Sequence, residues 1–291
     1  MRALLFAPST DERKLARVGT FGADAVVIDL EDAVADSEKT RARALARAAI
    51  PTYGSGQIVA VRVNGLESGR LEDDIAAIVC PQLAAVLVPK VQDTDTLQIT
   101  DRALAVAERA HGLELGAIRI VPLIETALGI VRVDEILLTA PARTLTALLG
   151  LVDLSAELGI EPTVEGTELL HARGRVIIAA RAAGMVSPID GPYLELGDEA
   201  GLIAGCRRSR ALGFQGRVAV HPQQVASTQR AYSELSDEAV TAQRRIVDAF
   251  ERAERSGVAA VQVDGKFVDY PVYQLARRRL HSYESLVTTG A

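Results

Sequence analysis

Short apolar runs rich in β-branched residues alternate along the chain with longer stretches of helical periodicity. The runs Ala3–Ala7, Ala25–Leu30, Ile58–Val63, Ala85–Val88, Ile118–Ile124, Leu145–Leu151, Met185–Ile189 and Arg217–Val220 are continuous rather than alternating. That pattern predicts strands buried on both faces, as in a parallel sheet. Between them, Ser9-Thr10-Asp11-Glu12 reads as a capping box before a helix over Lys14–Val18. Thr94 to Ala110 reads as a helix stopped by Gly112, and another helix starts at Asp198 and ends before Gly213. About eight strand–helix repeats in about 230 residues predict a (β/α)8 TIM barrel, with an open doubly wound sheet as the alternative. The first strand leads into Pro8-Ser9-Thr10 rather than a glycine-rich phosphate loop, which disfavours that alternative.

The rhythm breaks after residue 235. Ser236–Ser256 reads as one amphipathic helix closed by Gly257. Val258–Val263 and Phe267–Tyr270 flank Asp264-Gly265, a hairpin signal, and a last helix follows Pro271. The expected division is a barrel over residues 1–235 and a helix–hairpin–helix extension over residues 236–291, packed at a subunit interface.

Composition narrows the function. The chain has 291 residues, 48% of them hydrophobic, and 38 acidic against 32 basic side chains give a net charge of −6. The apolar content excludes disorder for most of the chain, and the acidity argues against nucleic acid or an anionic membrane as partner. Cys80 and Cys206 form neither a disulfide framework nor a CxxC site. MRALLFAPSTDERK lacks a signal-peptide core and no apolar run reaches membrane-spanning length, so a cytoplasmic protein is expected.

In a barrel the chemistry sits at the C-terminal strand ends. Those ends carry Asp29, Glu31 and Asp32 (strand two), Arg62 and Asn64 (three), Lys90 (four), Glu125 (five), Asp153 (six), Asp190 (seven) and His221 (eight). Carboxylates crowded at one mouth repel unless a cation sits among them, and an all-oxygen set suits Mg²⁺, or Mn²⁺ as second choice. Zinc is disfavoured, because His111 and His171 fall in helices and His281 in the extension. Arg62 reads equally as a structural partner of the strand-two carboxylates or as a fork for a substrate carboxylate or oxyanion. Lys90 reads as a rim lysine, and His221 as evenly structural or functional.

Taken together, LLFAPST (4–10), GADAVVIDLEDAV (22–34), VRVN (61–64), VLVPK (86–90), LIETALGI (123–130), LLGLVDLSAELG (148–159), HARGRVIIAARAAGM (171–185), IDGPY (189–193), RALGFQGRVAVHPQQV (210–225) and VDGKFVDYP (263–271) resemble the citrate lyase β-subunit-like CoA ester lyases of the HpcH/HpaI aldolase–citrate lyase group. The resemblance spans nearly the whole chain in order. It implies a (β/α)8 barrel binding Mg²⁺ through Glu125 and Asp153, with Glu31 and Asp32 holding the ion's waters. It implies that Arg62 binds substrate and stabilises a thioester enolate, and that Lys14 meets the CoA phosphates. Asp269 would reach a neighbouring subunit's site as acid/base, which implies a homo-oligomer, a trimer or a hexamer. Two departures bear on the pocket: Ser9 stands where the group commonly has glycine, and Leu151 and Val152 replace small residues.

The expected activity is Mg²⁺-dependent carbon–carbon cleavage of a malyl-, citramalyl- or citryl-type CoA thioester, giving acetyl-CoA and a 2-oxo acid, with Arg62, Asp269 and Glu31 in catalytic roles and Arg62, Glu125 and Lys14 binding substrate. The alternatives are a CoA-independent class II pyruvate-type aldolase, a citrate lyase-like subunit acting on an acyl-carrier thioester, and a non-catalytic docking subunit.

Overall fold

The computed structural model describes residues 1–54, 56–233 and 237–289. Eight parallel strands close into a barrel in sequence order: β1 Ala3–Pro8, β2 Ala25–Asp29, β3 Ile58–Arg62, β4 Ala85–Val88, β5 Arg119–Ile124, β6 Leu148–Leu149, β7 Ile189–Asp190 and β8 Gly216–Ala219. Around it run α1 Glu12–Val18, α2 Lys39–Ala49, α3 Leu71–Ile78, α4 Thr94–Ala110, α5 Ala127–Leu138, α6 Leu151–Leu158, α7 Leu170–Ala182, α8 Glu199–Leu212 and α9 Gln224–Ser233. This is the expected (β/α)8 TIM barrel.

The continuous apolar runs have a simple cause. Each strand supplies two cores, because successive side chains point to opposite faces. Leu4, Val27, Ala60, Leu87, Leu123, Leu148, Ile189 and Val218 fill the barrel interior. Val26, Ile28, Val61, Val86 and Ile124 pack outward against helical residues such as Leu15, Ile75, Leu97 and Val133.

Strands six and seven are shorter than their apolar runs predict. The chain leaves β6 at Gly150 and Leu151 already belongs to α6. β7 starts only after Pro188, whose missing N–H cannot join a ladder. At the first helix Asp11, not Ser9, is the N-cap, its carboxylate accepting from Lys14 N at 3.0 Å. Ser9 is instead buried, its N–H donating to Asp29 O at 3.1 Å.

The chain divides into two compact units, Met1–Tyr232 and Ser233–Ala291. The second consists of α10 Asp237–Arg255, the hairpin β9 Val261–Val263 and β10 Lys266–Val268, and α11 Tyr270–Thr289. Asp264 and Gly265 both have positive φ, 50° and 77°, which the tight two-residue hairpin turn requires. Phe250, Val268 and Tyr273 form this unit's own core, with the Phe250 and Tyr273 rings stacked at 4.7 Å. Among the described residues no helix is long and apolar enough to cross a membrane.

Candidate active site

The two-residue period of the strands decides what reaches the barrel mouth. Inward-facing Val27, Ala60, Leu123 and Leu148 are followed two places later by Asp29, Arg62, Glu125 and Gly150. These four line one cavity of about 330 Å³ with Phe6, Asp32, Val152 and Asp153.

Asp29 and Arg62 stand opposite each other in the β2–β3 register. The guanidinium grips the carboxylate with two parallel bonds, Nε to Oδ1 at 2.7 Å and Nη2 to Oδ2 at 2.6 Å. Its remaining edge, Nη1, faces Glu31 at 3.0 Å and Asp32 at 3.3 Å. The Phe6 ring lies under it, 5.6 Å from centroid to guanidinium carbon. Asp29 also accepts from Glu31 N and Ala33 N at 3.0 and 3.2 Å, so one carboxylate fixes both the arginine and the turn after β2. Lys39 of α2 pins that turn from behind. Its buried ammonium donates to Leu30 O and Glu31 O, both at 2.8 Å.

Lys90 has φ of +51°, a left-handed backbone uncommon outside glycine. This conformation turns its N–H onto Glu125 Oε1 at 2.9 Å, while its Nζ reaches Glu31 Oε1 at 2.7 Å and Asp32 at 3.4 Å. Burial alone would lower the lysine's affinity for its proton, but Glu31 and Asp32 reverse the sign and keep it charged. The sequence reading set Lys90 aside as a rim residue. Its left-handed backbone, the feature that makes it a bridge between strands two and five, has no signature in composition or periodicity.

Glu125 is 1% exposed. Burial first, and then the charge of Asp153, push its carboxyl up to about 8, against one backbone N–H holding it down. Gly150 makes the space beside it: a Cβ there would come within 2.2 Å of Glu125 Oε2. Glu31 is likewise raised, by burial and secondarily by Asp32, with Arg62 and Lys90 opposing. Its Oε2 is buried without a well-directed hydrogen bond.

Five carboxylates, Asp29, Glu31, Asp32, Glu125 and Asp153, are thus answered by two ion-paired cations, Arg62 and Lys90, with the Lys39 ammonium behind Asp29 and Glu31. Glu125 and Asp153 are the pair the cations do not reach with side-chain bonds, and both offer oxygen donors to a hard divalent cation. No group of three or more His, Cys, Asp or Glu among the described residues gathers as a metal cage. A pair fits a cation that takes one or two carboxylates and keeps waters or substrate oxygens elsewhere.

Other expected residues fall differently. Lys14 is exposed on α1 and pairs with Asp11 at 3.5 Å. It lines a neighbouring hollow of about 630 Å³ with Arg13, Arg17 and His221. That hollow meets the mouth cavity along Phe6, Ala7, Pro8 and Val220. Asn64 is tied to Asp74 of α3 through its backbone and side-chain nitrogens at 2.8 and 2.6 Å, a structural use. His221 Nδ1 accepts from Gln223 N at 3.3 Å in the turn after β8. Asp190 does not join the mouth. Ile189 takes the inward place on β7, so Asp190 faces the helix layer. Asp269 belongs to the second unit, where its carboxylate accepts from Val272 N at 3.3 Å at the start of α11.

Comparison with known proteins places the whole barrel in one family. Residues 2–222 match the HpcH/HpaI aldolase/citrate lyase family model. A (3S)-malyl-CoA thioesterase of Cereibacter sphaeroides is 36% identical over 100% of this chain and 97% of its own length. The citrate lyase subunit beta of Leuconostoc mesenteroides is 33% identical over 95% of this chain and 91% of its own. Among solved structures, CitE of Mycobacterium tuberculosis in complex with magnesium, acetoacetate and coenzyme A superposes with a TM-score of 0.78, at 27% identity, over 97% of this chain and 98% of that one. With the closed barrel and these matches in agreement, the chain belongs to the HpcH/HpaI aldolase/citrate lyase family of lyases.

Proposed function

We propose that this chain is a Mg²⁺-dependent carbon–carbon lyase that cleaves a malyl-, citramalyl- or citryl-type CoA thioester to acetyl-CoA and a 2-oxo acid, and can run in the condensing direction. One observation carries the reading: a buried carboxylate, Glu125, is held beside Asp153 with its ionisation disfavoured, a state a divalent cation relieves. Complexes of M. tuberculosis CitE pair magnesium with acetoacetate and CoA, with oxaloacetate, and with pyruvate, which supports the same ion and the same ligand classes here.

In this reading Glu125 and Asp153 would hold the ion, and Glu31 and Asp32 would bond the waters it keeps. The ion supplies Lewis-acid polarisation of a substrate oxygen. Arg62 is locked by Asp29, so its Nη1 edge is a preorganised positive charge for the thioester enolate. Cleavage removes the proton of the 3-hydroxyl group, breaks the carbon–carbon bond and leaves the electron pair on the enolate, which takes up a proton to become acetyl-CoA. Asp269 of a neighbouring copy is the group assigned to that proton. Lys14 is assigned to the CoA phosphates, in the hollow adjoining the mouth.

The malyl-CoA thioesterase relative favours a second reading, hydrolysis of the same thioester to free CoA and a hydroxy acid. One assay separates the two. Purified chain with MgCl₂ and a panel of acyl-CoA thioesters should yield acetyl-CoA and a 2-oxo acid by mass spectrometry. EDTA should stop the reaction, and Glu125→Gln and Asp153→Asn should each cost about 10²-fold or more. Free CoA without acetyl-CoA would establish the hydrolase instead. Turnover of pyruvate with an aldehyde and no CoA would establish an aldolase. Activity only with a co-purifying subunit or acyl carrier would establish the complex-bound role.

A further inference from the structure

A second built site lies outside the barrel wall. Asp190 and Arg217 stand opposite each other in the β7–β8 register and, with Ile189 and Val218 turned inward, both face the helix layer. Arg217 Nη2 donates to Asp190 at 2.7 Å, and Arg173 of α7 donates Nε to both Asp190 oxygens at 3.3 Å. Asp190 also accepts from Gly191 N at 3.0 Å. All three charged side chains are buried, Arg173 the most exposed at 9%.

Two guanidiniums therefore share one saturated carboxylate. The other titratable groups nearby do not balance them. Burial pushes the Tyr232 phenol and the Cys206 thiol up, so both stay neutral beside Arg217. Glu168 stays charged and feels Arg173, but it is half-buried, makes no ion pair with either arginine within 4 Å and turns its oxygens to Thr163 N and Oγ1, both at 2.8 Å. Glu165 and Glu195 are exposed on the rim. A buried excess cation is costly without an anion. Arg217 Nε is also buried without a hydrogen-bond partner.

Both arginines line a cavity of about 550 Å³ whose other walls are largely apolar, among them Leu151, Ile160, Leu169, Leu194 and Leu212. Two glycines make room for the guanidiniums, and Arg173 Nη1 donates to Gly166 O at 3.0 Å, leaving its Nη2 for a ligand. A Cβ on Gly205 would stand 2.8 Å from Arg217 Nη1, and one on Gly166 2.9 Å from Arg173 Nη1. Only Leu151, Val152 and Pro192 are shared with the mouth cavity.

We propose that this cavity binds an amphipathic monocarboxylate, its carboxylate on Arg173 and Arg217 and its hydrocarbon chain along the leucine wall. The volume falls within the range of small-molecule pockets, and a mostly apolar lining with a few convergent polar groups is their usual composition. The site does not depend on what Glu125 and Asp153 hold.

Isothermal titration of the full chain with octanoate, 1-octanol and inorganic phosphate tests it. Octanoate should bind with a Kd below about 1 mM. Octanol, which lacks the charge, and phosphate, which lacks the chain, should each bind at least about tenfold more weakly. Arg173 and Arg217 variants leave Asp190 buried alone and are poor probes. Ala156→Trp on exposed α6 surface fills the cavity from its rim and should weaken octanoate at least about tenfold with the circular dichroism unchanged. Absence of octanoate binding overturns the proposal, as does octanol or phosphate binding equally well. Binding kept in Ala156→Trp but lost in Arg62→Ala would put octanoate in the barrel mouth and overturn it too.

Discussion

A side chain's partners at the barrel mouth decide what it can do there. Arg62 reads from sequence as either a structural partner or a substrate fork, and the structure shows the structural partnership. Asp29 takes the Nε–Nη2 edge, and Nη1 faces Glu31 and Asp32 at the cavity wall. A lysine keeps the charge but cannot fill both places. Arg62→Lys should therefore lower kcat by about 10²-fold while Mg²⁺ affinity changes little, as read by steady-state kinetics beside metal titration. Away from the mouth, Asp24 offers a stability test. Burial would raise its carboxyl, but hydrogen bonds from the Arg2 side chain and backbone outweigh this and bring it from 3.8 to about 2. A depressed folded-state value stabilises above the unfolded value and fades as pH falls from about 4 to about 2. Asp24→Asn should cost about 1–2 kcal/mol near pH 7 and remove that part of the acid sensitivity, measured by urea unfolding at stepped pH.

Among the elements, the eight apolar runs were readable because a doubly buried parallel strand has one sequence form. Strands depart from their runs where a single residue overrides the pattern. Gly150 ends β6 early because the chain must pass over Glu125, and Pro188 delays β7. Asp190 reads from sequence as a mouth residue because a strand end does not say which face it presents; only the phase set by Ile189 does. Lys39 was missed because a lysine in a basic helix has no mark that its ammonium serves two buried carbonyls. The passage at Gly150 can be tested directly. Gly150→Ala places a methyl 2.2 Å from Glu125 Oε2 and 2.5 Å from its Cβ. It should destabilise the fold by about 1–3 kcal/mol and weaken Mg²⁺ binding well beyond that of a control alanine elsewhere on α6, seen by thermal unfolding and metal titration. An unchanged metal affinity would remove Glu125 from the ligand pair.

The whole molecule is a closed eight-stranded barrel and a smaller unit with its own aromatic core. The assignment of Asp269 to a neighbour's site makes activity a property of pairs of chains. Mixing Arg62→Ala with Asp269→Ala protein under subunit exchange should then recover up to about a quarter of wild-type activity, since random assembly pairs two intact halves at that frequency. Exchange shown by mass spectrometry with no recovered activity would place both groups in one chain. Part of the net charge of −6 now has a location, five carboxylates facing two ion-paired cations at one mouth. Lys90, which stitches that mouth together, sits in a backbone conformation that glycine adopts freely and lysine does not. Lys90→Gly would relax the backbone but strip buried Glu31 of its ammonium partner and leave the mouth's carboxylates facing Arg62. The strained turn is thus the cost of keeping like charges together, and relieving it is expected to loosen the mouth rather than make the protein more heat-resistant.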